Sequence, residues 1–133
     1  MAVNNIIKRI QNIMRQDAGI NGDAQRIEQM TWMFFLKVYD TQEETWEYKD
    51  ENYKSIIPEE LRWRNWAIDK KDGEALTGEA LLSFVNEKLF PTLKNLPIDA
   101  NTPRAKSIVQ ETFAALNQYM KNGTLLRQVV NIV

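Results

Sequence analysis

Neither cysteine nor histidine occurs among the 133 residues. Their absence removes thiol nucleophiles, Ser-His triads, imidazole acid-base chemistry and every zinc site built on Cys or His. What stays open is carboxylate chemistry, a lysine nucleophile, an all-oxygen metal site, or no catalysis. A chain without cysteine also forms no disulfide, which suits the cytosol. Glycine and proline are scarce, five and four in all, so the chain is neither a low-complexity tail nor a collagen-like repeat. Long apolar runs are missing too: the longest, 32–36, is far too short to cross a bilayer. Residues 1–10 mix Asn, Lys and Arg with isoleucines at helical spacing and form no signal core. Together these absences describe one soluble, cytoplasmic domain over 1–133, large enough to bury a core without a disulfide or a structural metal.

Charge is divided unevenly along the chain. Residues 40–60 carry eight acidic and two basic groups, a local balance of −6, against +2 for residues 1–39 and +3 for 61–133. With a total of −1, this is no free-standing basic nucleic-acid domain. Modest basic patches are present nonetheless. Lys8, Arg9 and Arg15 fall outside the apolar stripe of the first segment, and Arg104, Lys106, Lys121 and Arg127 lie in the last third. All seven are candidate phosphate contacts or ordinary surface charges.

Apolar spacing predicts an all-α fold, a bundle of about five helices around a buried central one. Val3, Ile6, Ile7, Ile10, Ile13 and Met14 form the stripe of the first helix, and 17–22, with two glycines, ends it. Asp23 is the expected N-cap of the second helix. From Ile27 to Tyr39 that helix is apolar almost all round, which predicts Ile27, Met30, Phe34 and Val38 at the centre of the core. Its acidic continuation is expected to run into solvent.

A short helix with Pro58 at its start and an aromatic crossover at Trp63, Trp66 and a 70–73 turn should follow. Thr77 caps the next helix, with Leu76 and Leu81 as a hydrophobic staple, Leu82, Val85 and Leu89 facing inward, and Pro91 ending it. Thr102 and Pro103 open another, which Asn122-Gly123 should stop. The final run sets Leu125, Leu126, Val129, Val130 and Val133 on one face and breaks off mid-pattern, as a piece of a longer chain would.

Chemistry-bearing patterns are few. Glu43, Glu44 and Glu47 stand at helical spacing and suit either a solvated face or a carboxylate site, but acid-base work needs burial. The Asp17, Asn21, Asp23 spacing lacks the late glutamate of a calcium loop. No Gly-x-Gly or Gly-Lys-Ser/Thr element cradles a phosphate, and the Gly19/Gly22 spacing alone is weak. Trp63, Arg64 and Trp66 fit base stacking, a partner contact or a core anchor.

Four blocks together carry a resemblance: Asp23-Ala24-Gln25-Arg26-Ile27-Glu28-Gln29-Met30-Thr31-Trp32-Met33-Phe34-Phe35-Leu36-Lys37, then Leu61-Arg62-Trp63-Arg64-Asn65-Trp66, then Leu89-Phe90-Pro91, then 117–130. In this order they resemble the N-terminal helical domain of type I restriction-modification M subunits, over nearly the whole chain. The resemblance implies a subunit that moves a methyl group from S-adenosylmethionine to adenine N6 in a target DNA sequence. It further implies that two such subunits join one specificity subunit and that a restriction subunit can join them. The family's Asn-Pro-Pro-Phe/Tyr motif and cofactor glycines belong downstream. Here all four prolines follow Ile, Phe, Leu or Thr, so no Asn-Pro exists. No catalytic, cofactor or metal residue is therefore expected within 1–133. The implied roles are clamping duplex DNA and contacting partner subunits, with Trp63, Arg64 and Trp66 as candidate partner contacts. A helical adaptor that binds only proteins is the alternative.

Overall fold

The computed structural model describes residues 2–68 and 76–133, with side chains from residue 4, and is all-helical among them. The expected 70–73 turn lies outside the described residues. The order is α1 (Ala2–Met14), α2 (Gly22–Lys49), a 3-10 turn at Glu59–Leu61, α3 (Trp63–Trp66), α4 (Gly78–Ser83), a π-turn at Phe84–Leu89, α5 (Phe90–Lys94), α6 (Arg104–Ala115) and α7 (Gly123–Ile132). Because α4, the π-turn and α5 follow without a break, they act as one rod, and among the described residues the bundle has five long rods: α1, α2, α4–α5, α6 and α7. Helix α4 packs on α7, α7 on α1, α5 on α6, and α2 on α3.

The core is aromatic at its centre. Trp32 and Phe113 are fully buried and both meet Phe90 edge-on at 5.1 Å, while Trp66 stacks over Trp32 at 6.5 Å. Burying side chains of this size and packing them edge to face is the main stabilising contribution available to a chain this short.

Several local expectations shift. Asn21, not Asp23, occupies the α2 N-cap position, and its N–H donates to Gln25 Oε1 at 2.7 Å. Gly22 at φ 85° sets that entry in the left-handed region, and Asp23 pairs instead with Arg26. Helix α6 starts one residue after the expected point, with Pro103 as N-cap, since Thr102 is held by Asp99 in a turn at Oγ1–Oδ1 3.1 Å. Pro91 does not end its helix. The Phe90 N–H donates back to Val85, and the chain runs on to Lys94. A π-turn widens the backbone one step before the proline, where a regular helix would clash with the proline ring. On this rod Leu81, Val85 and Leu89 face inward, while Leu82 is half-buried.

The larger correction concerns α2. Its buried positions are Gln29, Met30, Trp32, Met33, Leu36, Asp40 and Glu43, a stripe recurring at steps of three and four. Met30 is in the core as expected. Ile27 and Val38 are 57% and 58% exposed, and Phe34 is half-buried. The helix is central, but an apolar composition all round did not mean burial all round.

Candidate interfaces and the polar clusters that hold them

The basic candidates divide by what their heads do. Lys8 and Arg9 are exposed on α1 and make no ion pair among the described residues. Arg15 is exposed and donates to Asn12 at 2.8 Å. Arg104 is exposed at the start of α6, and Lys106 is half-buried two residues on. Lys121 is exposed, with its backbone N–H on the Asp17 carboxylate at 2.9 Å.

Arg127 is a correction. It is buried, and its guanidinium donates to the carbonyls of Trp66, Ala67 and Leu76 and to Asn131 Oδ1. A guanidinium so engaged stitches α7 to the crossover and has no donors turned to a phosphate.

Trp63 and Trp66 are the second correction. Both are buried and meet each other edge-on at 5.1 Å, and the Trp66 indole N–H donates to the Leu61 carbonyl at 2.9 Å. They anchor the crossover, so neither ring is available for base stacking or a partner.

Arg64 belongs to a charge cluster that reasoning from sequence missed. Its Nε meets Asp40 Oδ1 at 2.8 Å and its Nη1 meets Glu47 Oε1 at 2.9 Å. Arg62 pairs with Glu47 at 2.7 Å, Glu59 at 3.3 Å and Glu43 at 3.3 Å. Tyr53 donates to Glu43 Oε2 at 2.8 Å. Glu43 is 1% exposed at its side chain, so the expected solvated acidic face is wrong for Asp40 and Glu43 and holds only for neighbours such as Glu44. Asp40, Glu43 and Glu47 fall on one helix face, and Arg62-x-Arg64 supplies the matching cations; that combination was the available signal.

The electrostatics follow from the pairing. Hydrogen bonds from Arg62 and then Arg64 hold Glu47 below the usual carboxylate range. The Asn65 amide, and then Arg62, do the same for Glu59. Burial pushes Tyr53 up, helped by its hydrogen bond to Glu43, and burial does likewise for Tyr39. Partial burial opposes the charge on Arg64, yet its bonds to Asp40 and Glu47 leave it above its ordinary value. Each buried carboxylate thus answers a guanidinium or a phenol. This is charge pairing between α2 and the crossover, not an acid-base pair facing a substrate. No group of three or more acidic residues among the described ones could hold a metal ion.

A second polar system ties down residues 116–122, which cross α2 between α6 and α7 without regular structure and are extended at Leu116 and Asn122. Glu28 accepts the Asn117 backbone N–H at 2.7 Å, and the wholly buried Gln29 accepts that of Tyr119 at 2.7 Å. Asp17, 3% exposed, accepts the N–H groups of Gly19, Lys121 and Asn122. Helix α6 therefore stops at Ala115, seven residues before the expected Asn122-Gly123 stop, because this strap's amides find better partners on α2 and Asp17. Asn122 instead caps α7, accepting from Leu125 at 3.0 Å. Asp17 is a residue missed as a clamp; its place in a Gly-rich turn was the only hint.

A groove of about 620 Å³ runs along α2, lined by Ile7, Ile27, Met30, Phe34, Phe35 and Val38 among others. It is the uncovered side of the same helix whose opposite side carries the core.

These features define an all-helical domain among the described residues, organised by one long helix with a strap, a charge cluster and an open groove along its length. The chain matches the HsdM N-terminal domain family over residues 3–133 and belongs to it. It is 53% identical over 133 residues to the type I restriction enzyme EcoEI methylase subunit of Escherichia coli, covering 98% of this chain and 26% of that protein. Among solved structures, it matches a modification subunit assigned to a type I restriction enzyme from Vibrio vulnificus YJ016 at TM-score 0.83 and 32% identity, over 97% of this chain and 29% of that one. It also matches a chain from a study of complex assembly and conformational transition in a type I R-M system, at TM-score 0.80 and 31% identity, over 98% and 25%. The chain thus spans about a quarter of the length of the relatives it matches.

Proposed function

We propose that this chain is the N-terminal domain of a type I restriction-modification methyltransferase subunit, and that the complete cytoplasmic subunit transfers methyl groups from S-adenosylmethionine to adenine N6 in a target DNA sequence. The observation that carries this is family membership over nearly the whole chain together with 53% identity to a methylase subunit. Within the complex the domain's partners are duplex DNA, the specificity subunit, a second M subunit and the restriction subunit.

The domain's own chemistry is positional. Flipping an adenine out of the stack costs a few kcal/mol, so the duplex has to be gripped from several sides. Phosphate contacts supply grip without reading sequence. The exposed heads of Lys8 and Arg9 on α1, which make no ion pair among the described residues, support that role best, followed by Arg15, Arg104, Lys106 and Lys121. S-adenosylmethionine does not suit the α2 groove, which offers Thr31, Tyr39 and Gln42 but no carboxylate for the ribose hydroxyls. The methyl donor belongs to the remainder of the subunit.

The test uses the assembled enzyme. Reversing Lys8 and Arg9 to Glu should weaken binding to target and non-target duplexes alike and reduce the salt slope by up to about two. Unchanged affinity and slope, with similar reversals at Arg104 and Lys106 effective, would move the contact to α6. If neither pair matters, the protein-only adaptor reading gains.

A further inference from the structure

The α2 groove needs a cover. Ile27, Thr31, Phe34 and Val38 recur along it at steps of four, three and four, which is the pattern one helix presents to another. Such an apolar strip is not left in water without a partner. The groove does not suit a nucleic acid, because its lining is almost wholly apolar and contains no Lys or Arg.

The position of the α7 exit bears on what covers it. Val133, the last residue after α7, is half-buried, and its carbonyl accepts a hydrogen bond from Lys37 Nζ at 2.6 Å. Lys37 is the residue before Val38 and stands three positions from Phe34, so the exit of α7 is pinned at the rim of the groove. The family is an N-terminal domain, and the E. coli relative extends well beyond the matched part.

We infer that in the complete subunit the stretch directly following Val133 turns back and lies as an amphipathic helix in the groove of α2, covering Ile27, Phe34 and Val38. Spanning the lining from Ile27 to Gln42 takes a helix of similar length, so a short turn plus this helix needs about 25 residues. The groove is then the seat that fixes the N-terminal domain relative to the chain behind it. This inference rests on the chain being the front part of a longer subunit and not on DNA contact. Failure of the Lys8 and Arg9 test leaves it standing.

Residues 1–133 carry no cysteine, so an introduced thiol is the single one in its own stretch of chain and is read there peptide by peptide. Val38→Cys and, as a reference, Tyr48→Cys are made separately in the full-length subunit. Both sites are exposed in the domain, at 58% and 93%. Thiol labelling is followed by mass spectrometry on the peptide that contains both positions. Labelling at Val38→Cys should be at least about tenfold slower than at Tyr48→Cys at every protein concentration, the degree expected of a buried against an open site. A short photo-cross-linker on the Val38→Cys thiol should capture a peptide from the first 25 or so residues after Val133.

Equal labelling overturns the inference. So does protection that grows with protein concentration, which means a second copy, or protection that appears only when other subunits are added. A cross-link to a remote part of the chain overturns it as well. If Val38→Cys disturbs folding, Ile27→Cys at the other end of the groove gives the same readout.

Discussion

Two sides of α2 invert the usual distribution of residues. One side buries Gln29, Asp40 and Glu43, and the other leaves Ile27 and Val38 in water. Each buried polar group has its partners: the strap amide of Tyr119 for Gln29, Arg64 for Asp40, Arg62 and Tyr53 for Glu43. The exposed apolar groups have none. What a helix face buries is decided by what lies opposite it, and here a charged crossover and an extended strap lie opposite one side while open space lies opposite the other.

The largest effect separating the two sides comes from Trp32, wholly buried between Trp66 and Phe90. Trp32→Ala should destabilise the domain by about 3–5 kcal/mol, the range for removing an aromatic from a core. Thermal or urea unfolding followed by circular dichroism measures it. A loss below 1 kcal/mol would mean that α2 is not the central helix.

Next comes the charge cluster. Arg62→Leu strands Glu43 without its cation, a change that costs about 3–5 kcal/mol for a fully buried pair; here about 3 is expected, because Glu47 and Glu59 reach water. Adding Glu43→Leu to Arg62→Leu should recover most of that loss, since an apolar pair needs no desolvated charge. Acid acts on the same contacts. Glu47 and Glu59 are held below the ordinary carboxylate value, so their contribution is present above that value and is lost as pH falls through the lowered one. At the alkaline end Tyr53 and Tyr39 are raised, so their contribution is complete below the ordinary phenol value near 10 and is lost as pH rises beyond it. Tyr53→Phe should flatten the alkaline arm. An Arg62→Leu variant with an unchanged acid arm would show the pairing to be unimportant.

How far the sequence discloses this arrangement depends on whether an interaction is local. Helix existence, the α1 and α7 stripes, the Thr77 start and the family resemblance rest on spacing of a few residues, and each is present in the structure. Helix α6 stopping at Ala115 rests on partners on α2 and near Asp17, far away in sequence, so no local cap announced it. The same holds for Arg127, whose acceptors at 66, 67 and 76 are known only once the fold is formed. The π-turn that lets the helix pass Pro91 is likewise invisible to a rule that treats proline as a stop.

Asp17 tests the strap on a smaller scale. Asp17→Asn keeps the shape but removes the charge that receives three backbone amides and turns part of the head into a donor facing donors. A cost of about 2 kcal/mol is expected for bonds to a charged acceptor. Hydrogen exchange should quicken at Lys121 and Asn122 before it does in the α2 core. Uniform quickening would place Asp17 in the global core and not at a local clamp.

The smallest effect belongs to the open side, and it bears most directly on why that side is apolar. Val38→Ser in the 133-residue chain should change stability by no more than about 0.5 kcal/mol, because a side chain 58% exposed loses little contact on folding. Phe34→Ala should cost more, since Phe34 is half-buried against the core, but less than Trp32→Ala. In the full-length subunit the order should change: once a helix covers the groove, Val38 becomes a contact and the hydroxyl of Val38→Ser is buried without a designed partner. The cost there should rise to about 1–3 kcal/mol, the penalty of an unsatisfied buried hydroxyl. Urea unfolding of the N-terminal domain in both contexts reads the difference. An equal and negligible cost in both leaves the apolar side of α2 uncovered in the subunit, whereas a cost already near 2 kcal/mol in the short chain would show that Val38 is core and that the two sides of α2 do not differ as the structure has them.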